Sequence, residues 1–402
     1  MPIAKIVSEQ LSGSSWIRRM FEEGARLKRE RGADKVFDFT LGNPDVEPPE
    51  QVIETLRRVV AGNRPTSHGY MPNAGYPAVR EAIAAKLRRE NGVGFTAEDV
   101  FMTSGAAGAC NVFLKSVLDP GDEVIVLTPF FPEYRFYITN HGGSMVPVET
   151  DDTFLPDIGR IAAAITPRTR VIMLNTPNNP TGRVYPETVL RALDELLARV
   201  GQPISVISDE PYDALVYDGR RQPKVASLVR STVICNSWSK SQGLAGERIG
   251  YLALSPSVAD LEQLRAACTF SNRVLGFVNA SAIWQWVMLE AADYTIDVAG
   301  YEHKRNVFCD ALEKIGYEVR RPEGAFYIFM KTPIPDDIEF VRLLAAEGVL
   351  TVPGAGFGRS GYMRLSLTVP LDSIERSIPG FERAFASVQK RMALFSTRIS
   401  GE

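Results

Sequence analysis

The chain has 402 residues, 45% of them apolar and 23% charged, with a formal net charge of −3. This is ordinary globular composition, sized for two domains or one large domain with an appendage. The charges are interspersed and leave no basic footprint, so neither a nucleic acid nor a membrane surface is expected as a partner. Cys110, Cys235, Cys268 and Cys309 lie far apart without a C-x-x-C, and His68, His141 and His303 are equally scattered. Buried reduced thiols are therefore expected, with no disulfide framework and no metal site. The opening stretch "MPIAKIVSEQLSGSSWIRRMFEEG" lacks a continuous apolar segment, and no run approaches eighteen apolar residues, so a cytoplasmic protein is expected.

In chain order, "TSGAAGA" (103–109) opens a predicted helix, "GACNVFLKSVL". Short Val- and Ile-rich runs follow: "EVIVLTP" (123–129), "RVIMLNTP" (170–177), "ISVISDEP" (204–211), "STVICNS" (231–237) and "RIGYLAL" (248–254). Runs of this length without clean alternation suit strands covered on both faces. A helix is predicted over "PETVLRALDELLARV" (186–200), with Pro186 near its start and Gly201 past its end. The expected fold class is α/β, a mostly parallel wound sheet with helices on both faces. From Ser281 one long helical pattern leaves the sheet and leads into "YEVRRPEGAFYIFMKT", predicted as a pair of strands, then another helix and "GYMRLSLTV". These form a predicted smaller α+β domain, joined by the N-terminal residues.

Ligands of such sheets bind beyond the carboxyl ends of the strands. Phe130 and Phe131, Asn178 and Asn179, Asp209, and Lys240 each follow one of these runs. The small residues at 103–109 free backbone N–H groups at a positive helix end suited to phosphate. Ser237, Ser239 and Arg248 add hydroxyls and a guanidinium for the same anion. The "SKS" around Lys240 lacks the preceding G-x-x-x-x-G of a phosphate-binding P-loop, and no dinucleotide glycine fingerprint follows a first strand. An amine for an aldehyde, a carboxylate for a pyridine nitrogen, an aromatic for a flat ring and a phosphate cradle together describe pyridoxal 5′-phosphate.

In "LGNPD" (41–45), "NNPTG" (178–182), "SDEPY" (208–212), "SWSKSQGLAGERIGY" (237–251) and "MRLSL" (363–367) the chain resembles the fold type I, class I/II aminotransferases over nearly its whole length. The resemblance implies an N-terminal arm and part of the small domain over 1–46, a large cofactor domain over 47–285 and the small C-terminal domain over 286–402. It implies that Lys240 is the Schiff-base lysine and proton carrier, that Asp209 faces the pyridine nitrogen, and that Tyr212 and Asn179 bond the ring's 3-oxygen. Phe131 falls where the family stacks an aromatic on the ring. Ser104, Gly105, Ala106, Ser237, Ser239 and Arg248 correspond to the phosphate cradle, while Phe130 reads as core. Tyr70 matches a tyrosine lent to the neighbour's phosphate in a homodimer. Arg364 resembles the arginine that forks onto the substrate α-carboxylate, with Gly42 in the loop closing over it.

The expected reaction moves an amino group between an L-amino acid and a 2-oxo acid. The same kit also serves a carbon–sulfur β-lyase, which would release pyruvate and ammonia from cystathionine. A regulator that binds the cofactor without turnover is a weaker reading, because the forty residues before "LGNPD" leave no room for an appended helix-turn-helix. For a second substrate carboxylate the chain offers no assured cation. "SGAAGA" carries Ala107 where related enzymes carry a lysine, and "RAACTFSNR" carries Ala267 with Arg265 and Arg273 only nearby. Aspartate is therefore not expected to be a preferred donor, with Trp16, Ile17 and Phe131 forming an apolar wall.

Overall fold

The computed structural model describes residues 3–12, 24, 26–30, 32–65 and 67–399. Their strands are, in chain order, β1 (Phe37–Asp38), β2 (Val100–Ser104), β3 (Glu123–Thr128), β4 (Ser144–Glu149), β5 (Thr169–Asn175), β6 (Ser205–Asp209), β7 (Thr232–Ser237), β8 (Ile249–Leu254), β9 (Tyr327–Lys331), β10 (Val349–Leu350), β11 (Val352–Pro353) and β12 (Tyr362–Ser366). Seven of them make one sheet in the order β2-β8-β7-β6-β5-β3-β4. The strands from β7 to β4 run parallel, and β8 runs antiparallel to both β7 and β2. This is the wound α/β sheet expected from the sequence.

Every residue of β3 and β8 is buried, as a sheet covered on both faces requires. Successive side chains alternate between the faces. Val124, Val126, Val171 and Met173 pack with Phe113 and Leu114 of the helix Gly105–Val117. Their neighbours Ile125, Leu127, Ile172 and Leu174 pack with Leu190, Leu193 and Leu197 of the helix Glu187–Arg199.

A second, antiparallel sheet has the order β11-β12-β9, and β1 pairs in parallel with β10. Its core includes Phe39, Phe308, Phe326, Phe340, Met363, Leu365 and Phe381. The Phe37 N–H donates to the Gly348 carbonyl at 2.8 Å, which fastens the N-terminal segment to a strand from the far end of the chain.

The structure departs from the predicted elements in two places. The helical pattern after Ser281 divides into the helices Ala282–Ala291 and Ala299–Ile315. The Gln242 amide donates to the carbonyls of Ala291 and Tyr294, and the Ile296 N–H donates to the Ser241 carbonyl. The first helix therefore ends on partners supplied by the segment after Lys240 instead of continuing. In "YEVRRPEGAFYIFMKT" only β9 is a strand. Tyr317 donates to the Phe381 carbonyl, and Arg321 pairs with Asp310 and Glu313, which ties the preceding segment to helices rather than to a ladder. The four cysteines are free and buried. Among the described residues no helix is long and apolar enough to cross a membrane.

Candidate active site

Because β3, β5, β6 and β7 are parallel, their carboxyl ends share one edge. Asn175, Asp209 and Cys235 stand side by side in register there. The reversed direction of β8 brings its first residues to the same edge, with Gly250 opposite Ser237 and Ile249 opposite Ser104. Arg248, which directly precedes β8, and the start of the helix Gly105–Val117, which directly follows β2, therefore meet beside the end of β7. The chain turn Trp238–Ser241 carries Ser239 and Lys240 over this edge.

These elements enclose a cavity of about 220 Å³, lined in part by Ala106, Phe131, Asn179, Asp209, Tyr212, Ser237, Ser239, Lys240 and Arg248. Gly105 backs onto Arg248. Its φ is +70°, and a Cβ there would stand 2.7 Å from Arg248 Nη2, so a larger residue would push the guanidinium aside. Arg248 is itself held in the left-handed region at φ 52°, a strained conformation that costs about 1–3 kcal/mol and is found preferentially at functional sites.

Asp209 is buried, and that burial raises its carboxyl to about 7 despite a hydrogen bond donated by the Tyr134 hydroxyl. Lys240 responds in the opposite sense. Burial, followed by the nearby charges of Arg248 and Arg364, brings its amine down to about 8. Lys240 Nζ donates to the Gly42 carbonyl at 2.7 Å. Gly42 is packed so closely that a Cβ would fall 1.8 Å from the Tyr327 hydroxyl. That hydroxyl lies 3.1 Å from the hydroxyl of Tyr212.

Arg364 is 3% exposed. Its Nη1 donates to Asn179 Oδ1 at 3.2 Å and its Nη2 to the Thr40 carbonyl at 2.6 Å. The guanidinium sits between the rings of Tyr327 and Phe357, at 4.5 and 4.8 Å from their centroids, and its buried Nε has no hydrogen-bond partner.

Gly42 and Arg364 thus lie one contact beyond the cavity wall, touching Lys240 and Asn179. Ser104 closes β2 behind Arg248, and Phe130 is buried in the core. Tyr70 is fully exposed on a loop and lies outside the cavity. Trp16 and Ile17 lie outside the described residues. Arg265 is committed to Asp99, Glu98 and Glu262, and Arg273 lies over the Phe270 ring. Tyr134, Tyr137, Asn175 and Tyr327 join the site without having been anticipated. An aromatic three residues after Phe131 and an asparagine at the end of "RVIMLN" were the available signals for two of them.

The chain matches the family described as aminotransferase class I and II over residues 34–378. It is 37% identical to the aspartate/prephenate aminotransferase of Thermus thermophilus, across 88% of this chain and 92% of that one. Among solved structures, an amino transferase from Eubacterium rectale superposes with a TM-score of 0.92 at 35% identity, covering 96% of this chain and 99% of that one. An alanine aminotransferase from Pyrococcus furiosus gives 0.87 at 28% identity, covering 96% and 100%. With its family motifs gathered at one sheet edge and the match spanning most of its length, the chain belongs to the class I and II aminotransferases.

Proposed function

We propose that this aminotransferase holds pyridoxal 5′-phosphate in the cavity at the sheet edge and uses Lys240 to move the substrate's α-proton. The observation carrying this reading is the convergence of a depressed amine and a buried carboxylate on one cavity, with an arginine of unpartnered Nε directly behind Asn179. The residues present fit the cofactor. Ser104, Gly105, Ala106, Ser237, Ser239 and Arg248 would take its phosphate, Asp209 its ring nitrogen, Tyr212 and Asn179 its 3-oxygen, and Phe131 one face of its ring. When bound, the group supplies an electron-poor ring that accepts the electron pair left when the α-proton departs.

The remaining work falls to the protein. Arg364, gripped between two aromatic rings, presents a planar fork whose free Nε can meet a substrate α-carboxylate. Lys240, with its amine near 8, exists partly as free base close to neutral pH and can take a proton from the α-carbon and return it. Tyr134 donates its hydroxyl to Asp209 and fixes the carboxylate's direction. Tyr70, wholly exposed in a single chain, would complete the phosphate site of a second copy in a homodimer.

The relative from Thermus thermophilus is named for aspartate and prephenate. Here Ala106 and Ala107 line the cavity, and Arg265 is occupied by three acidic partners. A buried second carboxylate would stay unpaired, so aspartate is not a preferred donor of this enzyme. Borohydride reduction of the purified protein should fix a phosphopyridoxyl group on the peptide containing Lys240, and label on another lysine would refute the assignment. Among aspartate, alanine, phenylalanine and methionine with 2-oxoglutarate, kcat/KM for aspartate should not lead. An aspartate lead of about a hundredfold, equivalent to about 2.7 kcal/mol, would require a cation at the side chain.

A further inference from the structure

We propose that Glu133 is a specificity-determining residue of this site and selects amino donors whose side chain ends in a cation. The inference rests on the reading of the cavity as an amino-acid site and adds the class of substrate. Glu133 lies on the segment between Phe131 and Tyr134, both of which line the cavity. Its Oε2 is withdrawn from solvent and has no hydrogen-bond partner. No ion pair within 4.0 Å joins it to another described residue. Burial raises its carboxyl, opposed first by a hydrogen bond from its own backbone N–H and then by the charge of Arg364.

A buried carboxylate oxygen without a donor is expensive, and a native structure that keeps one needs a reason. Helix capping does not provide it, because the Glu133 side chain makes no cap hydrogen bond to the helix Tyr134–Thr139. The position does. Glu133 stands between two cavity-lining residues, Phe131 and Tyr134, and within electrostatic reach of Arg364, Tyr327 and Tyr137. An amino acid with its carboxylate on Arg364 and an ammonium or guanidinium at its far end would give Glu133 the partner it lacks. A second carboxylate there would instead meet a like charge, with no described cation committed to it.

The test uses the cofactor-loaded enzyme and unreactive probes. Binding of 4-guanidinobutanoate, pentanoate and glutarate is measured by calorimetry on wild type and on the near-isosteric Glu133→Gln. Wild type should bind 4-guanidinobutanoate at least tenfold tighter than glutarate and pentanoate, and Glu133→Gln should erase that gap. In turnover with pyruvate as acceptor, lysine or ornithine should exceed norleucine at least tenfold in kcat/KM. Glutarate binding as tightly as 4-guanidinobutanoate to wild type would overturn the role of Glu133, as would a gap that survives in Glu133→Gln. If alanine is transaminated while these preferences are absent, only the role of Glu133 fails. If no donor is transaminated and no probe binds, the reading of the site fails with it.

Discussion

The wall formed by β5, β6 and β7 delivers Asn175, Asp209 and Ser237 from neighbouring positions of one hydrogen-bonded sheet, whereas a second wall, set one contact further back, gathers Gly42, Tyr327 and Arg364 from remote parts of the chain. The bond between Arg364 and the Thr40 carbonyl spans 324 residues of sequence. On the first wall, position is a property of the backbone ladder, and a changed side chain leaves its neighbours in place. On the second, position depends on side chains and close approach, so one added methyl group is felt by several functional groups.

Substitutions can sharpen this contrast. Lys240→Ala on the sheet wall should keep the fold and lose turnover by about 10²–10⁴-fold, as expected when a positioned proton carrier is removed. A stopped-flow assay of α-proton exchange measures it, and near-normal exchange would assign the proton to another group. Arg364→Lys keeps the charge but not the planar fork, and should cost on the order of 2–5 kcal/mol in kcat/KM. Gly42→Ala should be the milder lesion of the same wall. Its Cβ cannot coexist with the Tyr327 hydroxyl, so Tyr327 and the loop must separate. A shift of about 1 Å at a reacting site costs about 10²-fold. If Gly42→Ala is harmless, the second wall is more compliant than its packing implies.

The smallest effect concerns pH. The carboxyl of Asp209 rises from 3.8 to about 7 on folding. Between those values the folded protein binds more protons than the unfolded chain, so this group's contribution to stability falls as pH rises through the window. Asp209→Asn removes the titration. In cofactor-free protein its Tm should gain on wild type between pH 5 and pH 8, and a constant difference across that range would mean that Asp209 does not titrate there. Glu210, also raised to about 7 by burial, contributes equally to both proteins and cancels.

The same contrast explains what could be read from the sequence. Asp209, Asn179 and Lys240 follow apolar runs directly, so strand identity alone places them at one edge. Arg364 and Gly42 were legible through resemblance, but their partners Tyr327 and Thr40 were not, because nothing local marks a residue whose contact lies hundreds of positions away. Tyr134 was hidden for a different reason. In "PEYRFY" it reads as an ordinary core aromatic, and only the packing of that short helix against β4 and the helix Gly105–Val117 turns its hydroxyl toward Asp209. The pairing of β1 with β10 involves two residues from each strand, too few for a periodic signal.

The charges responsible for lowering Lys240 also act beyond the cavity. Arg248 and Arg364 lie close enough to Lys240 to disfavour its protonation, while burial raises the carboxyls of Asp209 and Glu133. The three basic side chains therefore give this part of the cleft a locally positive lean in low-dielectric surroundings. Such a field concentrates phosphates and carboxylates at the mouth and raises their encounter rate, and it fades as dissolved salt shortens its range. Under the proposed assignment the three cations would serve capture as well as chemistry, and ionic strength would act on the first of these before the second.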